Sequence, residues 1–176
     1  LSRRSVQRLK IELEVYLTTP KTWDIFKNHH YLNTEINNSA IIFVGCINEI
    51  PAVFTAVMPM PGGITRWREH RTVCLPDFQG IGIGNVMSEY VASLFKDNPK
   101  GRHYCSITSH PAMIYYRAKS KNWKMIRAQS RSGIRNDTNI PAFNATSAHN
   151  RPTATFIYAN KSNIKDARRF DLNYGI

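Results

Sequence analysis

The sequence has few cysteines, few acidic residues and no long apolar run, and each shortage excludes a class of protein. Its three cysteines, Cys46, Cys74 and Cys105, lie in apolar stretches and form no C-x-x-C pair. We therefore expect buried, reduced thiols and a cytoplasmic protein rather than a disulfide-bonded secreted domain. No apolar run approaches the roughly 18 residues of a membrane-spanning helix, and the first residues lack a signal-peptide core, so we expect a soluble protein without membrane contact.

The sequence also lacks the usual motifs of metal binding and covalent catalysis. Its six histidines show no H-x-x-x-H spacing, and no group of carboxylates stands beside them. We therefore expect no structural metal. There is no G-x-S-x-G elbow and no evident Cys–His nucleophile site, so we expect no covalent enzyme intermediate.

Acidic residues are scarce and unevenly placed. The chain has 24 lysines and arginines against 12 aspartates and glutamates, a net charge of +12, and no acidic residue between Asp97 and Asp137. Aromatic residues alternate with cations in that stretch, which is typical of surfaces that contact phosphates and stack on bases. We expect a nucleic-acid partner or, as the alternative, cations that only solubilise the protein and attract a phosphorylated ligand. The residues expected to contact nucleic acid are Arg117, Lys119, Lys121, Lys124 and Arg127.

The order of apolar and turn-forming segments predicts a single mixed α/β (α+β) domain over residues 1–176. With 176 residues, 42% of them hydrophobic, the chain can bury a core without disulfides. Asn48-Glu49 separates two apolar runs and predicts an antiparallel hairpin. Residues 130–150 are polar and without periodicity, so we expect a loop insertion there. Strands are predicted over 10–17, 40–47, 51–60, 65–75, 103–108 and 153–159, and helices after Pro20, within 79–96 and over 109–119.

A glycine-rich turn joins the strand over 65–75 to the next helix. It reads Gln79-Gly-Ile-Gly-Ile-Gly84 and follows a strand end, Val73-Cys-Leu-Pro-Asp-Phe78. The N–H groups of such a turn, together with the helix N-terminus, can hold a pyrophosphate. The glycine spacing is not G-x-G-x-x-G, and Gly84 is followed by Asn85 rather than by lysine, so neither the dinucleotide nor the Walker motif fits. The alternative is an ordinary turn whose glycines only supply positive φ angles.

The pattern Gln79-x-x-Gly82-x-Gly84 after that strand end resembles the acetyl-coenzyme A loop of the GNAT acyltransferase superfamily. The resemblance implies the GNAT fold, a mixed central sheet of about six to seven strands flanked by helices. It also implies acetyl-CoA, or another acyl-CoA, as the cofactor. The residues implied to bind it are Val73, Cys74, Leu75, Gln79, Gly80, Ile81, Gly82, Ile83, Gly84 and Asn85.

A second pattern, Ser109-x-x-Ala112-x-x-x-Tyr116, is similar to the Asn-x-x-Ala-x-x-x-Tyr pattern of the same superfamily. The resemblance implies that Tyr116 is the catalytic acid. The sequence departs from the family at Ser109, where asparagine is usual, and at Ser120-Lys121, where Gly-Phe is usual. The alternative for Tyr116 is a core or stacking tyrosine.

A narrower resemblance begins at Trp23-x-x-Phe26-x-x-His29-His30-Tyr31-Leu32 and includes Arg71 and Thr108-Ser109-His110-Pro111. These residues resemble a GNAT branch fused to ABC-type ATPases and the Mom-type DNA-modification proteins of phages. That likeness implies that His30, Tyr31, Arg71 and Ser109 line the acceptor side of the site. The alternative is that His29 and His30 merely end the first helix, where imidazolium suits the helix dipole.

The expected function is acetyl-CoA-dependent N-acyl transfer, directly between coenzyme and acceptor in a ternary complex. A base must take the amine proton, and His30 is one candidate, with Glu69 or His70 acting through water as others. Amides near residues 73–75 are expected to meet the developing oxyanion. The expected acceptor is an amine on a DNA base or modified base. The alternatives are a protein or small-amine N-acetyltransferase, and a non-catalytic module that binds CoA or nucleic acid.

Overall fold

The computed structural model describes residues 10–30, 35–60, 66–98, 103–129 and 152–172. Seven strands form one mixed sheet in the order β1-β2-β3-β4-β5-β7-β6, which confirms the predicted α+β fold. The strands are β1 (Glu14–Thr18), β2 (Ile41–Ile47), β3 (Ile50–Met60), β4 (Arg66–Cys74), β5 (Tyr104–Thr108), β6 (Trp123–Gln129) and β7 (Thr153–Tyr158). The helices are α1 (Trp23–Phe26), α2 (Ile83–Phe95), α3 (Pro111–Lys119) and α4 (Ile164–Arg169), with 3-10 turns at Pro20–Thr22, Lys27–His29 and Pro76–Phe78.

The predicted hairpin is confirmed. β2 and β3 pair antiparallel, and the turn between them is formed by Asn48 and Glu49. Both turn residues have positive φ angles, 49° and 65°, which is the conformation that a two-residue turn needs to match the twist of its strands. Asparagine enters that conformation readily, and glutamate is held in it by the ladder on either side.

β1 starts at Glu14 rather than at the predicted residue 10. The helix predicted after Pro20 is present as a single α-helical turn, α1, between two 3-10 turns, and it buries Trp23 and Phe26. β6 and α4 were missed. β6 is an edge strand whose residues 124–128 are all exposed, and the register shift between Met125 and Arg127 interrupts the alternation of apolar and polar residues in its sequence. The expected loop at 130–150 lies outside the described residues.

Each face of the sheet is covered by a different helix. On one face, which we call the α2 side, Met87, Val91 and Phe95 of α2 pack on the aromatic rings of Trp67 and Tyr104. These residues follow the three- and four-residue spacing that predicted the helix. On the opposite face, the α1 side, Trp23 and Phe26 pack against Phe54 beneath β2, β3 and the end of β4.

β4 and β5 are parallel, and they are joined only near their starts. The pairs are Trp67 with Tyr104 and Arg68 with Cys105, and within the described residues no later pair connects the two strands. Since β4 continues to Cys74 and β5 to Thr108, the strands diverge toward their C-terminal ends. Backbone groups on the facing edges are therefore left open to another partner.

A buried ion pair crosses the α2 side beside this divergence. Arg117 of α3 is 1% exposed, and its Nη2 lies 3.0 Å from Oε1 of Glu69 in β4. Ser88 of α2 and Ser106 of β5 donate hydrogen bonds to the same carboxylate, and the guanidinium lies 4.4 Å from the ring centroid of Trp123. The expectation that Arg117 contacts nucleic acid is therefore wrong, because the side chain is enclosed and its charge is matched inside the protein.

No helix in the described part of the chain is long and apolar enough to cross a membrane. Among those same residues, no three or more histidine, cysteine, aspartate or glutamate side chains are grouped so as to hold a metal ion. Cys46, Cys74 and Cys105 are all free thiols, as the sequence predicted.

Candidate functional site

The divergence of β4 and β5 opens a cleft of about 640 Å³. Its walls come from the second half of β4, the end of β5, the glycine turn with the start of α2, and the start of α3. The structure thereby brings eight of the ten predicted cofactor residues and two of the predicted acceptor residues, His30 and Arg71, into one cavity. The residues that line it include His29, His30, Glu69, His70, Arg71, Thr72, Val73, Cys74, Phe78, Gln79, Gly80, Gly82, Ile83, Gly84, Asn85, Ile107, Thr108, His110, Ala112 and Met113.

Two glycines give the turn its path. Gly80 and Gly82 have φ angles of 81° and 90°, a region that other residues rarely adopt. A Cβ atom on either would meet nothing within 4 Å, so both face open space at the mouth of the cleft. Gly82 is the N-cap of α2, and its carbonyl accepts the N–H groups of Asn85 and Val86. The positive end of a 13-residue helix therefore points into the cleft.

The third glycine of the turn sets the distance between helix and strand. A Cβ atom on Gly84 would lie 2.9 Å from Sγ of Cys74, so only glycine lets α2 approach β4 this closely. Burial raises the pKa of Cys74 to about 11, although a backbone hydrogen bond from Gly84 lowers it. Cys74 is therefore a protonated packing group at neutral pH. The side chain of Gln79 donates to the Cys74 carbonyl at 3.1 Å and ties the turn to the strand end.

Two of the predicted cofactor residues, Leu75 and Ile81, are not among the residues that line the cleft. The N–H of Leu75 donates to the carbonyl of Ala52 at 3.0 Å, and the Leu75 side chain packs on the α1 side. The expectation that its amide meets the oxyanion is wrong, because that amide already has a partner in β3. Ile81, between the two open glycines, is 52% exposed.

A β-bulge lies in β4 at the centre of the cleft. Ala56 pairs with Arg71 while Val57 pairs with Glu69, which leaves His70 without a partner residue in β3. Bulges of this kind occur beside active sites, where they re-aim side chains. His70 lines the cleft, and its pKa is lowered to about 4 by burial first and then by the charges of Arg71, Arg68 and His30.

The lowered pKa of His70 predicts a pH-dependent stability. Between about pH 6.5 and pH 4 the unfolded chain binds a proton at this histidine that the folded protein does not, so acidification through this window destabilises the fold. We expect the melting temperature of the wild type to fall more between about pH 7 and pH 5 than that of His70→Gln. Thermal melts across that range measure the difference, and equal falls in the two proteins would contradict the environment described for His70.

Two predicted acceptor residues, His30 and Arg71, lie together on the α1 side of the cleft. Nη1 of Arg71 is 3.1 Å from Nδ1 and 3.3 Å from Nε2 of His30, and Nη2 donates to the carbonyl of Glu35 at 2.6 Å. The guanidinium also lies 5.5 Å from the ring centroid of Trp23. Because a guanidinium only donates hydrogen bonds, the ring nitrogen that meets it must offer its lone pair. Tyr31, the next predicted residue, lies outside the described residues.

The structure places three other predicted catalytic residues, Glu69, Ser109 and Tyr116, in different environments. Glu69 lines the cleft, but its carboxylate is held by Arg117 and two serines, so the idea that it is a base is wrong. The residues that line the cleft include Thr108 and His110 but neither Ser109 nor Tyr116. Tyr116 follows Ala112 by one turn of α3, and its pKa is raised by burial, then by the charge of Glu89 and a hydrogen bond to it.

Sequence reasoning assigned no role to several residues of the cleft wall. Thr108 and His110 line it at the end of β5, and the N–H of His110 donates to Oγ1 of Thr108 at 3.1 Å. The signal for this wall was present in the Thr108-Ser109-His110-Pro111 motif, from which only the serine was chosen. Ile107 and Met113 carry no such signal, because Ile107 enters the wall where β5 diverges from β4 and Met113 enters it from the first turn of α3.

No protein-family model matches the sequence, and no curated protein matches it. Solved structures do resemble it. The ribosomal-protein-S18-alanine N-acetyltransferase from Escherichia coli superposes with a TM-score of 0.59 at 10% identity, over 84% of this chain and 93% of that one. A GNAT family acetyltransferase from Elizabethkingia anophelis with acetyl-CoA bound gives 0.58 at 12% identity, over 84% and 98%. NAA60 from Arabidopsis thaliana in complex with acetyl-CoA gives 0.58 at 9% identity, over the same shares.

Proposed function

We propose that this chain, which has the fold of the GNAT acetyltransferases, is an acetyl-CoA-dependent N-acyltransferase. One observation carries the proposal: the cleft between the diverging strands ends at a glycine turn and a helix N-terminus. An open strand edge suits a ligand with amide groups, and the positive helix end suits a ligand with phosphates. Coenzyme A has both in one molecule, with the pantetheine amides next to the diphosphate.

The coenzyme is expected to lie along the open edge of β4, with its diphosphate on the glycine turn. Its pantetheine arm would take the place of a strand between β4 and β5, as an added strand does at a sheet edge. The open space in front of Gly80 and Gly82 lets phosphate oxygens approach the backbone. The thioester would then lie near the bulge at His70, beside His30 and Arg71, with Tyr116 one turn of α3 beyond the lining residue Ala112.

The proposed reaction is direct transfer. The acceptor nitrogen bonds to the thioester carbon, the carbon–sulfur bond breaks, the coenzyme leaves as a thiolate, and the amine loses one proton. His70 is uncharged at neutral pH, so it can receive that proton transiently and pass it to water. The lone pair of His30 faces Arg71, which makes His30 a positioning residue in this proposal. Tyr116, which is protonated at neutral pH, is the proposed proton donor to the departing thiolate, and it regains a proton from water.

The acceptor we propose is an amine on nucleic acid. Four of the five predicted phosphate contacts, Lys119, Lys121, Lys124 and Arg127, are exposed, and no acidic residue lies between residues 97 and 137. A base inside a duplex cannot reach a thioester in a cleft, so a single-stranded or flipped base is the expected form. The second candidate is the amino terminus of a protein, because the resembling enzyme from Escherichia coli acetylates the alanine of a ribosomal protein.

The acceptor can be identified in one competition experiment. The protein is incubated with radiolabelled acetyl-CoA and equal amine concentrations of single-stranded DNA, duplex DNA, RNA, protein and polyamine. We expect label in nucleic acid, with single strands ahead of duplex. Label confined to protein or polyamine would leave the acyltransferase proposal standing and refute the nucleic-acid acceptor. Coenzyme binding without label in any acceptor would favour a non-catalytic module.

Tyr116 offers a sharp test of the chemistry, because its neighbour is a matched control. Replacing Tyr116 by phenylalanine should lower kcat on the order of 10²-fold with coenzyme affinity nearly unchanged. Tyr115→Phe removes the same hydroxyl from a residue that is 64% exposed and bonded to Lys119, and it should keep the wild-type rate. Release of coenzyme thiol, followed with the acceptor that takes label, measures both. Equal rates in the two variants would reduce Tyr116 to a packing residue.

A further inference from the structure

A row of paired residues crosses four strands on the α1 side of the sheet. Arg68 pairs with Cys105, Cys105 with Ile157, and Ile157 with Lys124. Paired residues on neighbouring strands point to the same face, so Arg68 and Lys124 lie at the two ends of one row. Strands in a sheet are about 4.8 Å apart, which places these ends roughly 14 Å from each other.

A second row runs beside the first. Ile107 pairs with Thr155, and Thr155 with Arg127, so Arg127 lies on the same face as Lys124. This is possible because a register shift between Met125 and Arg127 brings both cations to one side. At the other end, Arg66 precedes Arg68 by two residues and shares its face. We call Arg66, Arg68, Lys124 and Arg127 the basic face.

The strands of the basic face supply no acidic side chain that would balance the positive charge of Arg66, Arg68 and Lys124. β5, β6 and β7 contain no aspartate or glutamate, and the one acidic residue of β4, Glu69, is held on the α2 side by Arg117. The ion pairs found among the described residues include none with Arg66, Arg68 or Lys124. Nε of Arg66 and of Arg68 is enclosed and has no hydrogen-bond partner there.

The positive charge of the basic face also acts on a residue of the cleft. Burial raises the pKa of Cys105 in the middle of the row, and the charges of Arg68 and Arg66 oppose that rise. The same Arg68 lowers the pKa of His70 inside the cleft. Ile107 belongs to the second row, is 47% exposed and lines the cleft, so the basic face and the cleft form one continuous surface.

We propose that the basic face binds the phosphate backbone of the nucleic acid whose amine enters the cleft. This inference rests on the proposed function. Guanidinium groups pair with phosphates through two hydrogen bonds, and three of the four cations are arginines. Between the cations lies a strip of small and apolar side chains, the exposed Ile107 and the half-buried Thr155 and Ile157, with Cys105 buried beneath it. The sugars and base faces of a nucleic acid can pack on such a strip. An acidic peptide has no regular apolar surface that would match it.

Binding is measured without coenzyme, by fluorescence anisotropy of a labelled single-stranded DNA of about 20 nucleotides, over a range of salt concentrations. For four phosphate contacts, log Kd should change with log salt by roughly 0.7 per contact, or about 2.8. Lys124→Gln/Arg127→Gln should lower this slope by about 1.4 and raise Kd roughly tenfold, and Arg66→Gln/Arg68→Gln should act alike. Lys161→Gln/Lys165→Gln removes the same charge near α4, from two exposed lysines, and should change neither value.

Three outcomes would overturn the assignment. One is a wild-type slope near zero, and another is equal binding of a poly-glutamate peptide that carries the same charge. The third is a Lys119→Gln/Lys121→Gln variant, at the end of α3, that loses affinity while Lys124→Gln/Arg127→Gln binds like the wild type. Lys124 and Arg127 are exposed, so their variant keeps the test valid if the half-buried arginines are needed for folding. Acetyl-CoA binding, measured separately by thermal shift, distinguishes failure of this inference from failure of the proposed function.

Discussion

Replacing Gly82 by aspartate is expected to abolish acetyl-CoA binding while the protein remains folded. Gly82 caps α2 at the mouth of the cleft, and a side chain there meets nothing within 4 Å. A carboxylate at this position would stand against the diphosphate, and two like charges about 4 Å apart at a protein surface repel by about 4 kcal/mol. The affinity for the coenzyme should fall on the order of 10²-fold or more.

Asparagine provides the matched control at the same position. Aspartate and asparagine have the same shape, and both are among the residues that best tolerate the positive φ of 90° found at Gly82. Any backbone strain is therefore common to Gly82→Asp and Gly82→Asn, and only the charge differs. Isothermal titration with acetyl-CoA should show binding to the asparagine variant and none to the aspartate variant. Equal affinities would mean that the diphosphate lies elsewhere.

Removing Arg117 should destabilise the protein by about 3–5 kcal/mol, because Glu69 would be left buried and unpaired. The pair is nearly enclosed, with side-chain exposures of 1% for Arg117 and 7% for Glu69. Urea unfolding of Arg117→Met measures the loss. Since the pair joins α3 to β4 beneath the cleft, we also expect weaker coenzyme stabilisation in this variant.

The double variant Glu69→Gln/Arg117→Met separates the two causes of that loss. If the penalty comes from the unpaired carboxylate, replacing both partners should restore most of the stability, as is usual for buried ion pairs. If the double variant is as unstable as Arg117→Met alone, the stacking of Arg117 on Trp123 and its bonds to the serines would be the larger contribution. Wild-type stability in Arg117→Met would contradict the buried pair itself.

The cofactor part of the site could be predicted because its physical requirements are local. Glycines supply the two positive φ angles, the N-cap of α2 and the close approach to Cys74. All of these glycines lie within the six residues 79–84. The hairpin at Asn48-Glu49 was predictable for the same reason, since the turn length alone determines its geometry.

The acceptor side could not be predicted in the same way, because its properties come from distant parts of the chain. Arg117 sits among surface lysines in the sequence, and its burial depends on Glu69, 48 residues earlier. The bulge at His70 arises from the register of β3 against β4, and no residue of β4 indicates that register in the sequence. The basic face likewise appears only after β6 is placed beside β7, and β6 was the strand that the sequence did not reveal.

The divergence of β4 and β5 has a consequence for how the protein opens. Only two residue pairs connect β1–β4 with the described strands on the other side, β5, β7 and β6, so the sheet consists of two hydrogen-bonded halves. Helix α2 and the pair of Glu69 with Arg117 join these halves from one side. A molecule lying between β4 and β5 would supply the missing ladder and make the two halves a single cooperative unit. The empty protein would then separate along this line at a lower free energy than complete unfolding requires.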